Sequence, residues 1–365
     1  MSIDSKSAIS QKPLRIGNDL QTMEALVVDS SEEIAWDSFV RSARDATSYH
    51  QFRWKTVISK SFGHQCHYLA AVDSRGEWQG VLPLTHLRSK LFGNFMVSLP
   101  FVSYGGLLCN NDTAARLLLD QAERLRGSIG ASHVELRHLA CRLERMPTKQ
   151  HKVTMILDLA DDVETQWRAF NFKLRNHIRK AEKSGLQPAA GHLDLLDGFY
   201  EVFAHNMRDL GTPVYAKVFF RNFLEAFPDT TKIFAVYHKR TIIAAGIVSW
   251  FRDTLEIPWA SSISDYRSLC PNNMLYWDAI RFAIGSGLRK FDFGRSTPHE
   301  GTYIFKKQWG ALPVQLYWQY LMDGRNVMPD LSPSNPRYQT AIRIWQRLPL
   351  PATRILGPMI VRNIP

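Results

Sequence analysis

The sequence predicts an α/β protein in which one unit, a mixed sheet flanked by helices, occurs twice. Three observations predict it. A chain of 365 residues is long for one domain and suits two. Stretches of period-2 and period-3.6 apolar patterning alternate along it instead of segregating. The order of elements in the first half also returns roughly 160 residues later, although residue identity between the halves is negligible.

The elements follow in order. After a polar tail over 1–22, Met23 to Val28 reads as a strand, Glu32 to Ala43 as a helix and Phe52 to Ser61 as a second helix. His67 to Val72 and Trp78 to Leu87 form a hairpin around Asp73, Ser74, Arg75 and Gly76. A strand from Asn94 to Leu99 leads into the Gly105-Gly106 turn. A helix from Thr113 to Arg126 follows, capped by Asp112 or Thr113, and the strand His133 to Arg137 completes the unit. The second pass begins at Val163 with a long helix to Ser184, then helices over Leu195 to Leu210 and Phe219 to Phe227. A hairpin of Thr231 to His238 and Thr241 to Phe251 comes next, followed by a strand from Thr254 to Ser261, a helix from Asn273 to Ser286 and a strand from Lys290 to Arg295. Strand-like Val314 to Met322 closes the unit. The expected division is a tail over 1–22, units over 23–160 and 161–325, and an extension over 326–365.

The totals bound the function. Apolar residues at 45% and charged residues at 22% exclude disordered and fibrous classes. Lys plus Arg total 45 against 34 Asp plus Glu, and the net +11 favours an anionic partner: RNA, a nucleotide-linked precursor or an acidic membrane surface, with nothing pointing to DNA. Cys66, Cys109, Cys141 and Cys270 lie far apart without ligand spacing, so no metal site and no disulfide framework is expected. The polar start and the lack of a long apolar run predict a cytoplasmic protein. The extension from Arg343 to Pro365 mixes apolar residues and arginines among prolines. It reads as packing on the second unit, with contact to the inner membrane face as the alternative.

The densest chemistry runs from Phe291 to Gly310. Alternation separates Asp292 from Phe291 and Phe293, so the carboxylate is expected to face a cleft while the rings pack. Phe305-Lys306-Lys307-Gln308-Trp309-Gly310 reads as a short helix with an aromatic pair at i and i+4. The helix from Glu164 to Ser184 has an apolar stripe of Trp167, Phe170, Leu174, Ile178 and Ala181. Its other faces carry Arg168, Lys173, Arg175, Arg179, Lys180 and Lys183, either a solvated surface or a phosphate-binding one. Glu256 and Asp292 are the candidate general bases, with ion pairing to Arg252 or Arg295 as the structural alternative. Asn273, Tyr276 and Tyr303 are cleft candidates that can equally serve as a helix cap or as core.

The order of helices and strands in the second half resembles the GNAT fold, which holds an acyl donor where its central strands splay. GNAT enzymes open the helix beside that splay with a Q/R-x-x-G-x-G/A loop for the diphosphate of acetyl-CoA. Ser262 to Pro271 contains no glycine, so that cradle is not expected here. The F-K-x-x-[FW]-G box at Phe305 to Gly310, with the D-F-G-R strand before it, resembles the FemAB family of peptidoglycan-bridge aminoacyltransferases. From Lys149 to Met322 the chain resembles the exosortase/PEP-CTERM-associated branch, with a BioF2-like acetyltransferase domain. The stretches that carry this likeness are His151 to Met155, Arg179 to Leu186, Asn206 to Pro213 and Pro258 to Ser262.

The resemblance implies tandem GNAT-like domains and an acyl or aminoacyl transfer to an amine of a cell-envelope or exopolysaccharide precursor, nucleotide- or lipid-linked. No tightly bound cofactor is implied, and the donor is either aminoacyl-tRNA or acyl-CoA. On this reading Lys306, with Asp292 and Glu256, is catalytic, Phe305 and Lys306 meeting the 3′ end of a donor RNA. Lys307, Trp309, Arg295, Arg175, Arg179 and Lys180 extend the donor site, and Asn273, Tyr276 and Tyr303 the acceptor site. The tRNA-binding helical arm of some FemAB members has no counterpart. Two alternatives stand beside this reading: an N-acyltransferase using acyl-CoA or an acyl carrier protein, and a non-catalytic RNA-binding or scaffold protein.

Overall fold

The computed structural model describes residues 23–139, 143, 146–322, 328 and 336–365. The first unit runs β1 (Met23–Val28), α1 (Glu33–Ser42), α2 (Trp54–Phe62), β2 (Gln65–Asp73), β3 (Trp78–Ser89), β4 (Gly93–Val97), β5 (Leu108–Cys109), α3 (Asp112–Ser128) and β6 (His133–His138). Two strands bridge to the second unit, β7 (Thr148–Lys149) and β8 (Val153–Asp158). That unit runs α4 (Val163–Ala169), α5 (Phe172–Lys183), β9 (Leu186–Gly191), α6 (Leu196–Asp209), α7 (Lys217–Ala226), β10 (Thr231–His238), β11 (Thr241–Phe251), β12 (Thr254–Ser262), α8 (Pro271–Gly285) and β13 (Lys290–Ser296). It ends with α9 (Gly301–Lys307), β14 (Leu312–Gln315) and β15 (Tyr317–Met322), and α10 (Pro336–Gln346) and α11 (Leu350–Val361) close the chain.

Two mixed sheets result. One has the order β1-β2-β3-β4-β6-β15-β7 with β5 on β3, the other β14-β8-β13-β12-β11-β10-β9. Each contains a single parallel pair, β4 with β6 and β12 with β13, and these correspond in the two units. The units expected over 23–160 and 161–325 interlock instead of abutting. β8 leaves the first to lie between β13 and β14, and β15 returns from the second to pair with β6 from Tyr317↔His138 to Met322↔His133. The stretch from Val314 to Met322, expected as one strand closing the second sheet, divides: Val314 and Gln315 pair with β8 in that sheet, whereas Tyr317 to Met322 lie between β6 and β7 in the first.

Three local expectations are corrected. The helix from Val163 to Ser184 is two helices: Phe170 is extended, and the Asn171 side chain accepts from Leu174 N at 2.9 Å to start α5. An asparagine that can bond the backbone two or three residues on favours such a restart. The apolar stripe survives the break, with Phe170, Leu174, Ile178 and Ala181 buried. The cap of α3 is Asn111, one residue before the expected Asp112 or Thr113. The proline-rich extension is helical, because Pro349 and Pro351 stand at the start of α11, where no N–H is needed, and Pro358 lies in its last turn. It packs on α6 of the second unit, as expected, and Arg362 also meets His64 of the first.

Aromatic rings seal the seam between the units. Trp54 of α2 stacks on Phe223 of α7 with centroids 5.0 Å apart, and Phe62 meets Phe219 at 5.0 Å. Trp54 is fully buried and its indole N–H donates to Ser48 O at 3.0 Å. Replacing a buried tryptophan with alanine leaves a cavity as well as removing transfer energy. Trp54→Ala is expected to lower unfolding free energy by about 3–5 kcal/mol, read as a reduced urea midpoint. A loss below 1 kcal/mol would show that this seam is not part of the cooperative core.

Candidate active site

The parallel pair β12–β13 is short. It holds register at Thr254↔Lys290, Leu255↔Phe291 and Glu256↔Asp292, then the strands part. Both carboxylates of the last rung are buried, Glu256 at 3% and Asp292 at 1% exposure. Burying two neighbouring charges is costly unless donors surround them. Asp292 has such donors: Thr154 Oγ1 of β8 at 2.5 Å and Gly294 N at 2.7 Å on Oδ1, and the Tyr104 hydroxyl at 2.7 Å on Oδ2. Tyr104 comes from the first unit, so the rung is closed across the seam.

The same hydroxyl lies 3.3 Å from Glu256 Oε2. A phenol has one proton, and the shorter contact takes it. Burial first, then the Asp292 charge, raises the Glu256 pKa well above the ordinary carboxylate range. Burial also raises Asp292, but Thr154, Tyr104, the Gly294 N–H and Lys306 oppose it. The pair's shared proton therefore rests on Glu256, whose O–H is positioned to donate to Tyr104. Glu256 Oε1 and the Tyr49 hydroxyl make no close hydrogen bond, yet they interact, Tyr49 opposing the rise of the Glu256 pKa. Burial, followed by the Glu256 charge, pushes the Tyr49 pKa up.

Gly294 has φ 74°, a conformation that costs a side-chain-bearing residue about 1 kcal/mol or more. The turn it permits directs its N–H to Asp292 and its carbonyl to Lys306. Lys306 Nζ donates to Gly294 O and Arg295 O, each at 2.9 Å, leaving one N–H uncommitted. The ammonium is buried. Burial lowers its pKa to about 8, with attraction from Asp292 opposing and Arg295 assisting the shift.

Arg295 makes no side-chain hydrogen bond to a carboxylate. Its guanidinium lies 5.2 Å from the Trp318 ring centroid, and Arg137 lies over the same ring at 4.3 Å. Water reaches Arg295, yet the walls crowd it: enclosure and the nearby Arg137 lower its pKa to about 10. Lys152, half-buried, donates to Thr297 Oγ1 at 2.5 Å, and its pKa is lowered by burial and Arg295. His151 sets its ring edge-on to Trp318 at 5.1 Å. Arg137, Arg295 and Lys152 thus gather cationic groups around Trp318 and Thr297.

The structure brings Lys306, Glu256 and Asp292 together, with Arg295 adjoining. It corrects the orientation of Asp292, which is sealed by three donors instead of facing an open cleft. Neither arginine offered as a structural partner pairs with the carboxylates, since Arg252 donates to the carbonyls of Val40, Arg41, Ala43 and Arg44. Phe305 is half-buried and meets Tyr276 edge-on at 5.4 Å. Trp309 is core, edge-on to Phe170 at 5.4 Å, and Lys307 is exposed. Tyr276 stacks on Phe293 at 5.3 Å and its pKa is raised by burial, a core position. Tyr303 packs against the same core and lies near His299. Asn273 is buried with an unpartnered amide Nδ2 and does not cap α8. On α5, Arg179 lies over Trp167 at 5.4 Å, Lys180 is exposed, and the buried Nε of Arg175 has no partner. Sequence reasoning missed Tyr104, Thr154, Tyr49, Lys152 and Trp318. Thr154 lay inside the quoted stretch from His151 to Met155, whereas the two tyrosines belong to the first unit and reach the site only through the fold.

The start of α8, where no diphosphate cradle is expected, is closed. Cys270 has φ 61°, Pro271 lacks an N–H, and the N–H groups of Asn273 and Met274 bond Cys270 O. Among the described residues no group of three or more His, Cys, Asp or Glu is placed to hold a metal ion, and no helix is long and apolar enough to cross a membrane.

Two mixed sheets, each with one short parallel pair, define the class: a tandem GNAT-like fold. Residues 168–307 match the family profile described as an acetyltransferase (GNAT) domain, so the second unit carries a GNAT-type acyltransferase domain. The fold is similar to that of FemX, with TM-score 0.65 and 16% identity over 82% of this chain and 97% of that one. It is also similar to a tandem GNAT protein from the clavulanic acid biosynthesis pathway, with TM-score 0.52 and 10% identity over 82% and 97%. A third likeness is to L-PGS from Bacillus licheniformis, with TM-score 0.51 and 10% identity over 91% and 98%. At such identities the likeness is one of fold. No curated protein sequence matches the chain.

The raised pKa of Glu256 has a signed consequence. Above the unfolded value of 4.5 the native state retains a proton that the unfolded chain releases, so stability falls as pH rises. Glutamine mimics the protonated acid at every pH. Glu256→Gln is therefore expected to be more stable than wild type at pH 7, by about 1–2 kcal/mol, with the gap closing toward pH 4.5. Urea titrations at the two pH values check this, and a variant less stable than wild type at pH 7 would refute it.

Proposed function

We propose that this protein is an acyltransferase that moves an acyl or aminoacyl group onto an amine of a cell-envelope or exopolysaccharide precursor, with Lys306 as the charge-stabilising residue. The observation that carries this reading is a buried ammonium with one free donor, held on two carbonyls beside the carboxylate rung. When an amine attacks an ester or thioester carbonyl, a C–N bond forms and an oxyanion develops before the C–O or C–S bond breaks. A fixed, desolvated ammonium stabilises that oxyanion by an amount like that of one oxyanion-hole donor, about 3–4 kcal/mol. Glu256 can accept the amine's proton at Oε1 only as its own proton leaves from Oε2 through the Tyr104 hydroxyl to Asp292, the ionised member of the pair. Asp292 and Tyr104 position it. Arg295 and Lys152 suit a phosphate or carboxylate on the incoming substrate.

Two observations favour aminoacyl-tRNA over acyl-CoA as donor: the closed start of α8, and the likeness to FemX together with the FemAB-like box at Phe305 to Gly310. Acyl-CoA or an acyl carrier protein, held away from α8, is the second reading. It draws on the match of residues 168–307 to the acetyltransferase domain. The exosortase-associated branch rests on the sequence stretches alone, and cytoplasmic location on composition alone.

Transfer followed by mass spectrometry, with aminoacyl-tRNA and acyl-CoA donors offered to nucleotide- and lipid-linked amine acceptors, tests the proposal. Product is expected with wild type, and a loss of about 10²–10³-fold in kcat with Lys306→Ala. Product from acyl-CoA alone selects the second donor reading, and unimpaired turnover in Lys306→Ala would refute the role of that residue. The active form carries the ammonium, so with a fast, pre-deprotonated acceptor the rate is expected to fall as pH rises through about 8, the pKa of Lys306. Lys306→Arg should carry the rate to higher pH. A rate that climbs through pH 8 in wild type and is lost in Lys306→Arg would assign Lys306 as a base instead.

A further inference from the structure

The last 35 residues, 331–365, contain five arginines and no lysine, aspartate or glutamate. Within them α11 divides cleanly. Thr353, Gly357 and Val361 face inward, and at Gly357 a Cβ would stand 2.8 Å from Val214 N, so glycine lets this helix lie directly on the chain after α6. The opposite face is apolar and open: Ile355 is 70% exposed, Met359 65% and Leu356 43%, and on α10 Ile344 is 59% exposed. Arg354 is the one charged residue of α11, and it turns away to pair with Glu201 beside Tyr200. Exposed side chains of this size normally occur singly, and several on one surface mark an interaction site.

Met359 is also at the rim of a separate cavity of about 560 Å³, away from the acyl-transfer cleft. Arg88, His86, His64, Arg362 and Asn363 line it, with no acidic residue among its walls. Arg362 is held in place, its guanidinium donating to Phe62 O and its carbonyl meeting His64 Nε2 at 2.6 Å. Arg88 at the end of β3 is exposed and pairs with no carboxylate, and Lys90 and the 78%-exposed Leu91 follow at the hairpin tip. An apolar helix face beside a cationic pocket, in a stretch without acids, matches the two-part chemistry of an anionic bilayer surface. Apolar side chains enter the headgroup boundary while arginines meet phosphates.

We propose that α11, with the Arg88–Arg362 pocket, is a peripheral docking face for anionic phospholipid membranes. Ile355, Leu356 and Met359 insert, and the pocket takes a lipid phosphate. The face is independent of Lys306 and of the donor, so it stands or falls separately from the acyltransferase reading.

Flotation of the full chain with vesicles of phosphatidylglycerol and phosphatidylcholine, against phosphatidylcholine alone, tests it. Binding is expected to the anionic vesicles, weakened at least tenfold by 0.5 M salt. It should also weaken at least tenfold in Ile355→Glu/Met359→Glu and in Arg88→Glu, each with an unchanged thermal midpoint. Ile34→Glu, on the exposed face of α1, should bind like wild type. Inorganic phosphate at millimolar concentration that abolishes vesicle binding would show that a free anion, not a lipid, is the ligand. Equal binding to both vesicle types, no binding at all, or a dimer in sedimentation that Ile355→Glu/Met359→Glu dissolves would each overturn the proposal.

Discussion

The structure turns on one rung of parallel sheet, Glu256 opposite Asp292, where two carboxylates are buried and held by a hydroxyl from the other half of the molecule. Like charges this close cannot both ionise in a dry setting, so the rung must keep a proton or acquire donors. It does both. Three donors converge on Asp292, and Glu256 keeps the proton. Tyr104 supplies the link between them, so the two units must be docked for the rung to be stable. The position of Lys306 follows, because Gly294, which donates to Asp292, also turns its carbonyl to the ammonium.

The corresponding rung of the first unit explains why the units differ. There Val97 pairs with Glu135 on β4–β6, and Glu135 is neutralised by Arg137 at 2.7 Å and by the Tyr320 hydroxyl at 2.9 Å. The burial cost is offset by an ion pair, with the Arg137 guanidinium donating to Glu135 and to Val102 O. In the second unit no arginine fills that place. The nearby cation is a lysine bonded only to carbonyls, and it retains a free N–H. One copy has become a sealed brace, while the other retains the polar freedom that chemistry requires. The exchange of β8 and β15 between the sheets holds the copies in one arrangement, which keeps Tyr104 and Thr154 on target.

Much of this was legible in the sequence. Hairpins such as Thr231 to His238 with Thr241 to Phe251 declare themselves by alternation and a polar turn, and the box from Phe305 to Gly310 singles out Lys306, which the fold buries on the carbonyls of Gly294 and Arg295. Local patterns report local structure. What they do not report is partnership across the chain, and that is where the expectations failed. Alternation shows that Asp292 turns away from Phe291, but not that a tyrosine 188 residues earlier waits there. The strand after the box reads as a strand, but its sheet is chosen by the partner edge of β6, which no window reveals. The helix break at Phe170 and the helical extension beyond Pro336 turned on single capping and proline positions, where propensity is a weak guide.

Direct titration of the Lys306 ammonium shows whether the Asp292 network sets its charge. With isotope-labelled lysine, the Nζ resonance of wild type and Asp292→Asn can be followed by NMR from pH 6 to 11. A pKa of about 8 is expected in wild type and a lower one in Asp292→Asn, since the opposing carboxylate charge is gone. A Lys306 that titrates near the ordinary 10.5 in both proteins would contradict it.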